Sequence, residues 1–138
     1  MTTEERAERA VALRAAHTHN CCQAVAAVLG EELGVNSELL YHIASGFGGG
    51  MGTMEGTCGA LAAAVMAAGI ATKGKAGPVY AGKIQKEFVN QTGALLCKDL
   101  KGRSTGRVLC PCEECVRCAV RSFDQIMQDN LGETHPSS

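Results

Sequence analysis

At 138 residues, with 46% hydrophobic but only 4% aromatic side chains and no Trp, the chain has enough apolar material for a core built from Ala, Val, Leu, Ile and Met. Such side chains suit closely packed helices better than a sandwich of sheets. Thirteen basic against 14 acidic residues leave a net charge of −1, which excludes the basic field that binding a phosphate backbone needs; no nucleic acid partner is expected.

The opening Met1-Thr2-Thr3-Glu4-Glu5-Arg6 is acidic and polar, unlike a secretory signal. The longest apolar run, Gly59 to Ala71, falls short of the roughly 20 residues that span a bilayer. The expectation is a soluble, cytoplasmic protein without membrane insertion.

Thr2 or Thr3 followed by Glu5 has the layout of a helix N-cap, and predicts a helix from there to about Leu29. Its apolar stripe reads Val11, Ala15, Thr18, Cys22, Val25, Ala26 and Leu29. Cys22 lies on that stripe. Cys21, about 100° further round the axis, should face its edge, so the pair is not expected to aim at one point. Gly34 marks a stop, and Ser37 caps a short helix through Ala44. From Ser45 to Cys58 the chain carries six glycines between positions 46 and 56, a stretch that permits positive φ and close backbone approach. Thr53 or Thr57 is the candidate cap for a helix from Cys58 to about Ile70. Its small residues let neighbours come close, which makes it the expected central helix.

Gly74 and Gly77 break the chain, and Pro78 opens a helix to about Thr92 that buries Tyr80, Ile84 and Phe88. Gly93 ends it. Leu95 to Leu100 reads as a short helical turn and Lys101 to Arg107 as a polar loop. Pro111 helps start the last helix, to about Asn130, with Cys112, Val116, Ala119, Phe123 and Ile126 on its stripe and Met127 at the edge. The pattern predicts an all-α, compact single-domain bundle of about five helices over residues 1–131, with a glycine-rich loop before the central helix. A flexible C-terminal tail is expected over 132–138.

Eight cysteines stand out. With no signal segment and an Ala-rich core, they argue for reduced thiols and metal or redox chemistry rather than a disulfide framework. One or two fit as ordinary small buried hydrophobes; four packed between Cys110 and Cys118 fit that reading poorly. Cys22, Cys58 and Cys112 lie on or beside apolar helical faces of three separate segments, and Cys97 sits in a turn next to Leu95 and Leu96. Helices packed side by side would bring all four together. Cys58, at a helix N-terminus, is expected to have a lowered pKa. The glycine stretch before it can turn amides toward an anionic ligand or cluster sulfides.

Three segments carry a resemblance: Asn20-Cys21-Cys22-Gln23-Ala24-Val25, Ala44-Ser45-Gly46-Phe47-Gly48-Gly49-Gly50-Met51-Gly52, and Gly56-Thr57-Cys58-Gly59-Ala60. Together they resemble the C-GCAxxG-C-C family of redox-active proteins, which is similar to the non-haem domain of split-Soret cytochrome c. The likeness runs from about residue 5 to about 128. It implies that the family's four cysteines fall on Cys22, Cys58, Cys97 and Cys112. Cys112 is chosen because Cys112-x-x-Cys115-Val116-x-x-Ala119 follows the family's Cys-x-x-aromatic-Val-x-x-Ala pattern. Ala63 stands where a Gly is usual, Cys115 replaces an aromatic, and Cys21, Cys110 and Cys118 are extra. The resemblance implies a redox or iron–sulfur role and names no substrate.

Cys110-Pro111-Cys112-x-x-Cys115-x-x-Cys118 is also similar to the cysteine run of bacterial ferredoxins. On a regular helix Cys118 lies about 240° from Cys112 at about 100° per residue, so the three share a cluster only if the segment is a loop. Zinc would also suit four thiolates, though Cys22, Cys58 and Cys97 lack the close partners zinc sites usually draw on. A reversible disulfide from Cys58 to Cys22 or Cys112 needs no cofactor.

No Cys-x-x-Cys is followed by His, so covalent haem is not expected. His17 and His19 read as solvated helix residues, His135 as tail, and Met51 and Met54 as packing residues beside the site. His42 is given no ligand role, and the glycine stretch lacks a phosphate-loop motif.

The expectation is therefore an iron–sulfur site held by Cys22, Cys58, Cys97 and Cys112, with Cys115 the first substitute and Cys110 and Cys118 further candidates. It would act in electron transfer or redox sensing with a redox protein partner, and homodimerisation is left open. The alternatives are a cofactor-free thiol–disulfide oxidoreductase with Cys58 as nucleophile, and a structural zinc-binding interaction protein.

Overall fold

A computed structural model describes residues 1–103 and 105–134, with side chains through residue 129. Seven helices carry these residues, and no strand occurs among them: α1 (Thr3–Ala15), α2 (Cys21–Glu32), α3 (Ser37–Ala44), α4 (Gly59–Ala71), α5 (Gly77–Thr92), α6 (Cys97–Leu100) and α7 (Cys112–Thr134). The all-α expectation holds, with seven helices rather than about five.

One added helix comes from the first segment, and another is the turn expected over Leu95 to Leu100, present as α6. The helix expected to run to Leu29 stops at Ala15, and His17 takes a positive φ of 62°. Asn20 then starts a new helix. Its side chain accepts from the Gln23 amide at 2.9 Å, and the Gln23 side chain accepts from the Asn20 amide at 3.0 Å. This reciprocal capping box satisfies two backbone donors that would otherwise be orphaned. Ala15 and Thr18, assigned to the buried stripe, are exposed on either side of the break.

Asn36, not Ser37, caps α3 by accepting from the Leu39 amide at 2.8 Å. At α4 neither threonine serves as cap: Cys58 itself takes the N-cap position. Gly93, at φ 99°, ends α5 as expected, with Ile84 and Phe88 buried and Tyr80 only partly so. The last helix continues through Thr134, four residues past the expected end, so the tail expected over 132–138 is helical at its start. Residues 135–138, His135 among them, lie outside the described residues.

α4 forms the middle of the packing and touches α2, α5 and α7. It buries Gly59, Ala60, Leu61, Ala63, Ala64, Ala67 and Ala68, and small side chains are what let three helices approach one axis. α7 buries Cys115, Val116, Cys118, Ala119, Val120 and Phe123. α1 closes over α7 with charged contacts: Arg117 pairs with Glu8 at 2.7 Å, and Arg121 pairs with Glu4 at 2.9 Å. Beneath them Asp124, almost buried, pairs with Arg6 and accepts from the Thr3 hydroxyl at 2.7 Å. Among the described residues no helix is long and apolar enough to cross a membrane.

The cap at Asn20 also reaches across to the glycine segment, its amide donating to the Ser45 carbonyl at 2.9 Å. Asn20→Ala removes both contacts. It is expected to cost about 1–2 kcal/mol of stability, read as a lower urea midpoint with the slope unchanged.

Candidate functional site

The glycine segment folds so that backbone lies where side chains would otherwise stand. Gly49, Gly50 and Gly52 have positive φ, and so do Met51 and Met54. A Cβ on Gly50 would lie 2.6 Å from the Cβ of Cys97, and one on Gly59 would lie 2.7 Å from both the Cys21 sulfur and the Phe47 carbonyl oxygen. Neither position has room for a side chain. The backbone also ties two cysteine segments side by side: the Cys58 amide donates to the Leu95 carbonyl at 2.8 Å, and the Cys97 amide donates to Gly56 at 3.0 Å. These two bonds flank an isolated antiparallel bridge between Thr57 and Leu96.

The cysteines thereby share a position within their helices. Cys21 is the first residue of α2, Cys58 the N-cap of α4, Cys97 the first residue of the single turn α6, and Cys112 the first residue of α7. At each start the backbone amides lack carbonyl partners within the helix. In α2, α4 and α7 the dipole also presents its positive end.

Cys21 and Cys112 line one side of an open cavity of about 460 Å³. Cys58 is 3% exposed, and the neighbouring Cys115 is the largest influence on its thiol, raising its pKa. Lys101 reaches in from the loop after α6, its ammonium 3.7 Å from the Cys115 sulfur and 3.4 Å from the Cys110 carbonyl oxygen. Cys22 is fully buried behind Cys21. Cys110 is buried next to Cys115, whose thiol donates to the Cys110 carbonyl at 3.6 Å. Cys118 points elsewhere along α7, toward Glu114 at 3.7 Å. Because Cys112, Cys115 and Cys118 all belong to a regular helix, their run does not form the loop a ferredoxin-type local cluster requires. Among the described residues, no three His, Cys, Asp or Glu side chains are focused closely enough to hold a single metal ion.

Burial governs the acid–base behaviour of these thiols. It pushes Cys22 up to about 12, with Cys21 and Cys58 adding to the shift. Cys58 is raised first by its contact with Cys115 and then by burial, while the Leu61 and Ala60 amides pull weakly the other way. The helix start was expected to lower Cys58; here the amides are outweighed. Burial raises Cys21 against the Gly49 amide, and raises Cys97 against the charge of Lys101. For Lys101 burial acts to lower the pKa, but the facing sulfurs of Cys115 and Cys112 outweigh it and hold the ammonium above its ordinary value.

Several details differ from the sequence expectations. Cys21, assigned to the edge of a helix face, stands at the cavity wall, and the Asn20-x-x-Gln23 capping pattern is the signal that marks its place. Lys101 carried no signal, since its reach depends on the turn at Gly102, where φ is 74°. Cys112 is half-buried rather than on the buried stripe, and Cys115 takes the inner position. Met51 is 59% exposed rather than packed. His17 and His19 leave the helix and line the cavity.

A family model described as "Putative redox-active protein (C_GCAxxG_C_C)" matches residues 19–126. No curated protein and no solved structure matches the chain.

The raised thiol pKa values have a consequence for the reduced, metal-free protein. Each folded value lies above its unfolded one, so the thiol's contribution to stability is complete below the unfolded pKa and is lost as pH rises through the folded one. For Cys22 that window runs from 9.0 to about 12. Urea midpoints are expected to hold between pH 6 and 8 and to fall above pH 9, with a slope of up to about 1.4 kcal/mol per pH unit for each such thiol. A flat profile to pH 10.5 would contradict the burial argument.

Proposed function

Since the chain belongs to the C_GCAxxG_C_C family, we propose that its converging cysteines hold an iron–sulfur cluster used in electron transfer or redox sensing with a redox protein partner. One observation carries this reading: Cys21, Cys58, Cys97 and Cys112 stand at the starts of four different helices around one glycine segment. A thiolate-bound cluster is anionic, and the positive ends of helices and the amides facing Cys21 and Cys58, those of Gly49, Ala60 and Leu61, favour anions. Lys101 adds a positive charge on the same side.

The donor set fits such a group in kind. Thiols at separate helix starts are donors of the kind that would hold an iron–sulfur cluster, supplied from four places in the chain rather than as the close pairs that zinc sites usually draw on. Cys58, Cys97 and Cys112 are the proposed core of the ligand set. The fourth ligand comes from Cys21 or Cys22, with Cys115 as substitute and Cys110 and Cys118 outside it. When bound, the cluster would supply one-electron chemistry; the protein supplies the amides, the Lys101 charge and the buried wall that keeps water from the inner sulfurs.

The contact between Cys58 and Cys115 favours a second reading, a dithiol that closes to a disulfide as two electrons and two protons pass to an oxidant. Cys58 is a poor nucleophile in this setting, being 3% exposed with a raised pKa.

Metal analysis under anaerobic conditions separates the readings. The wild-type protein is expected to be brown, with iron and acid-labile sulfide in about equal amounts. Cys58→Ser and Cys97→Ser should lose most of the colour, and Cys118→Ser should keep it. Loading releases protons from the raised thiols, so it should become tighter between pH 7 and 9. Colourless protein with two thiols that titrate reversibly would replace the cluster by the dithiol; stoichiometric zinc without sulfide would replace both.

A further inference from the structure

We propose that the cavity in front of Cys112 and Cys21 binds a small anionic molecule and delivers it to the sulfur site. Its volume of about 460 Å³ falls in the range of small-molecule pockets. Arg14, His17, His19 and Asn20 line it alongside the two cysteines, and no carboxylate does.

Arg14 makes the charge argument. Arg6, Arg9, Arg117 and Arg121 each pair with a carboxylate, whereas Arg14, like Arg103 and Arg107, has no ion pair among the described residues; of these three, Arg14 alone lines the cavity. Its place in the last turn of α1 complements the helix dipole, which accounts for its sign but not for the missing acidic partner. The wall beside it is also built rather than loose. His17 is held at φ 62°, the Tyr41 hydroxyl donates to the Thr18 carbonyl at 2.7 Å, and the His19 ring sits edge-on to Tyr41 with centroids 5.1 Å apart.

An unpaired guanidinium on a carboxylate-free wall selects for negative charge. The molecule's role in redox chemistry rests on the function proposed above; the charge selectivity of the cavity does not.

Two near-isosteric reagents test it, iodoacetate (anionic) and iodoacetamide (neutral). With either, the Cys112 sulfur attacks the methylene carbon, a sulfur–carbon bond forms, the carbon–iodine bond breaks, and iodide leaves. The reaction is run on reduced, metal-free protein at one pH, so that the thiolate fraction cancels in the ratio of rates, and Cys112 is followed by peptide mass analysis. In the wild type the iodoacetate-to-iodoacetamide ratio should exceed that of free glutathione, and 0.5 M salt should lower it. In Arg14→Gln the ratio should fall at least about threefold, and Arg14→Lys should restore it.

A ratio equal to that of glutathione in the wild type, or unchanged in Arg14→Gln, overturns the proposal. So does a Cys112 that reacts with neither reagent, because the cavity is then closed to small molecules. Iron and sulfide are assayed on the same preparations after reconstitution, so loss of the cluster reading and loss of the anion site appear as separate results.

Discussion

The arrangement depends on close approach of backbone to sulfur. Gly50 against Cys97 and Gly59 against Cys21 leave no space for even a methyl group. If either were occupied, α6 or α2 would have to move outward, and the cysteine-bearing helix starts would no longer stand against the glycine segment. Positive φ at Gly49 and Gly50 lets the chain turn tightly enough to enter that space. The small residues of α4 extend the same economy of volume into the core, where α2, α5 and α7 close around it.

The site holds two opposed tendencies. Partly buried sulfurs in apolar surroundings resist ionisation, and burial raises Cys21, Cys22, Cys58 and Cys97 alike. The surrounding amides and Lys101 favour negative charge. In the absence of a partner burial wins, and the thiols keep their protons. A positively charged partner able to displace those protons would reverse the balance, because the amides and the ammonium are already in place.

Much of this could be read from residue order. The glycine run before Cys58, the small residues after it, and the stops at Gly34 and Gly93 placed most of the helices. Apolar spacing showed that cysteines distant in the chain would face inward. The break between Ala15 and Asn20 was hidden because Val11, Ala15, Thr18 and Cys22 continue a helical period across it; the Asn20–Gln23 cap competes with that period locally and wins. The inner place of Cys115 and the reach of Lys101 were not legible, because both follow from how α7 and the loop after α6 settle against α4. The Cys58 pKa went the other way from the helix-start argument for a related reason: the proximity of Cys115, and after it desolvation, are tertiary properties that no local motif reports.

The ion pairs between α1 and α7 join residues far apart in the chain, Glu4 with Arg121 across 117 positions. Contacts of such long range form only after most of the intervening polypeptide has been ordered. Cys112 rides at the start of the helix those pairs hold down. During synthesis, therefore, Cys21, Cys58 and Cys97 emerge well before Cys112, and a centre of the kind proposed would stay incomplete until α7 docks. A group delivered to the nascent chain would meet three donors and an open side; one delivered to the finished protein would have to enter past Cys112.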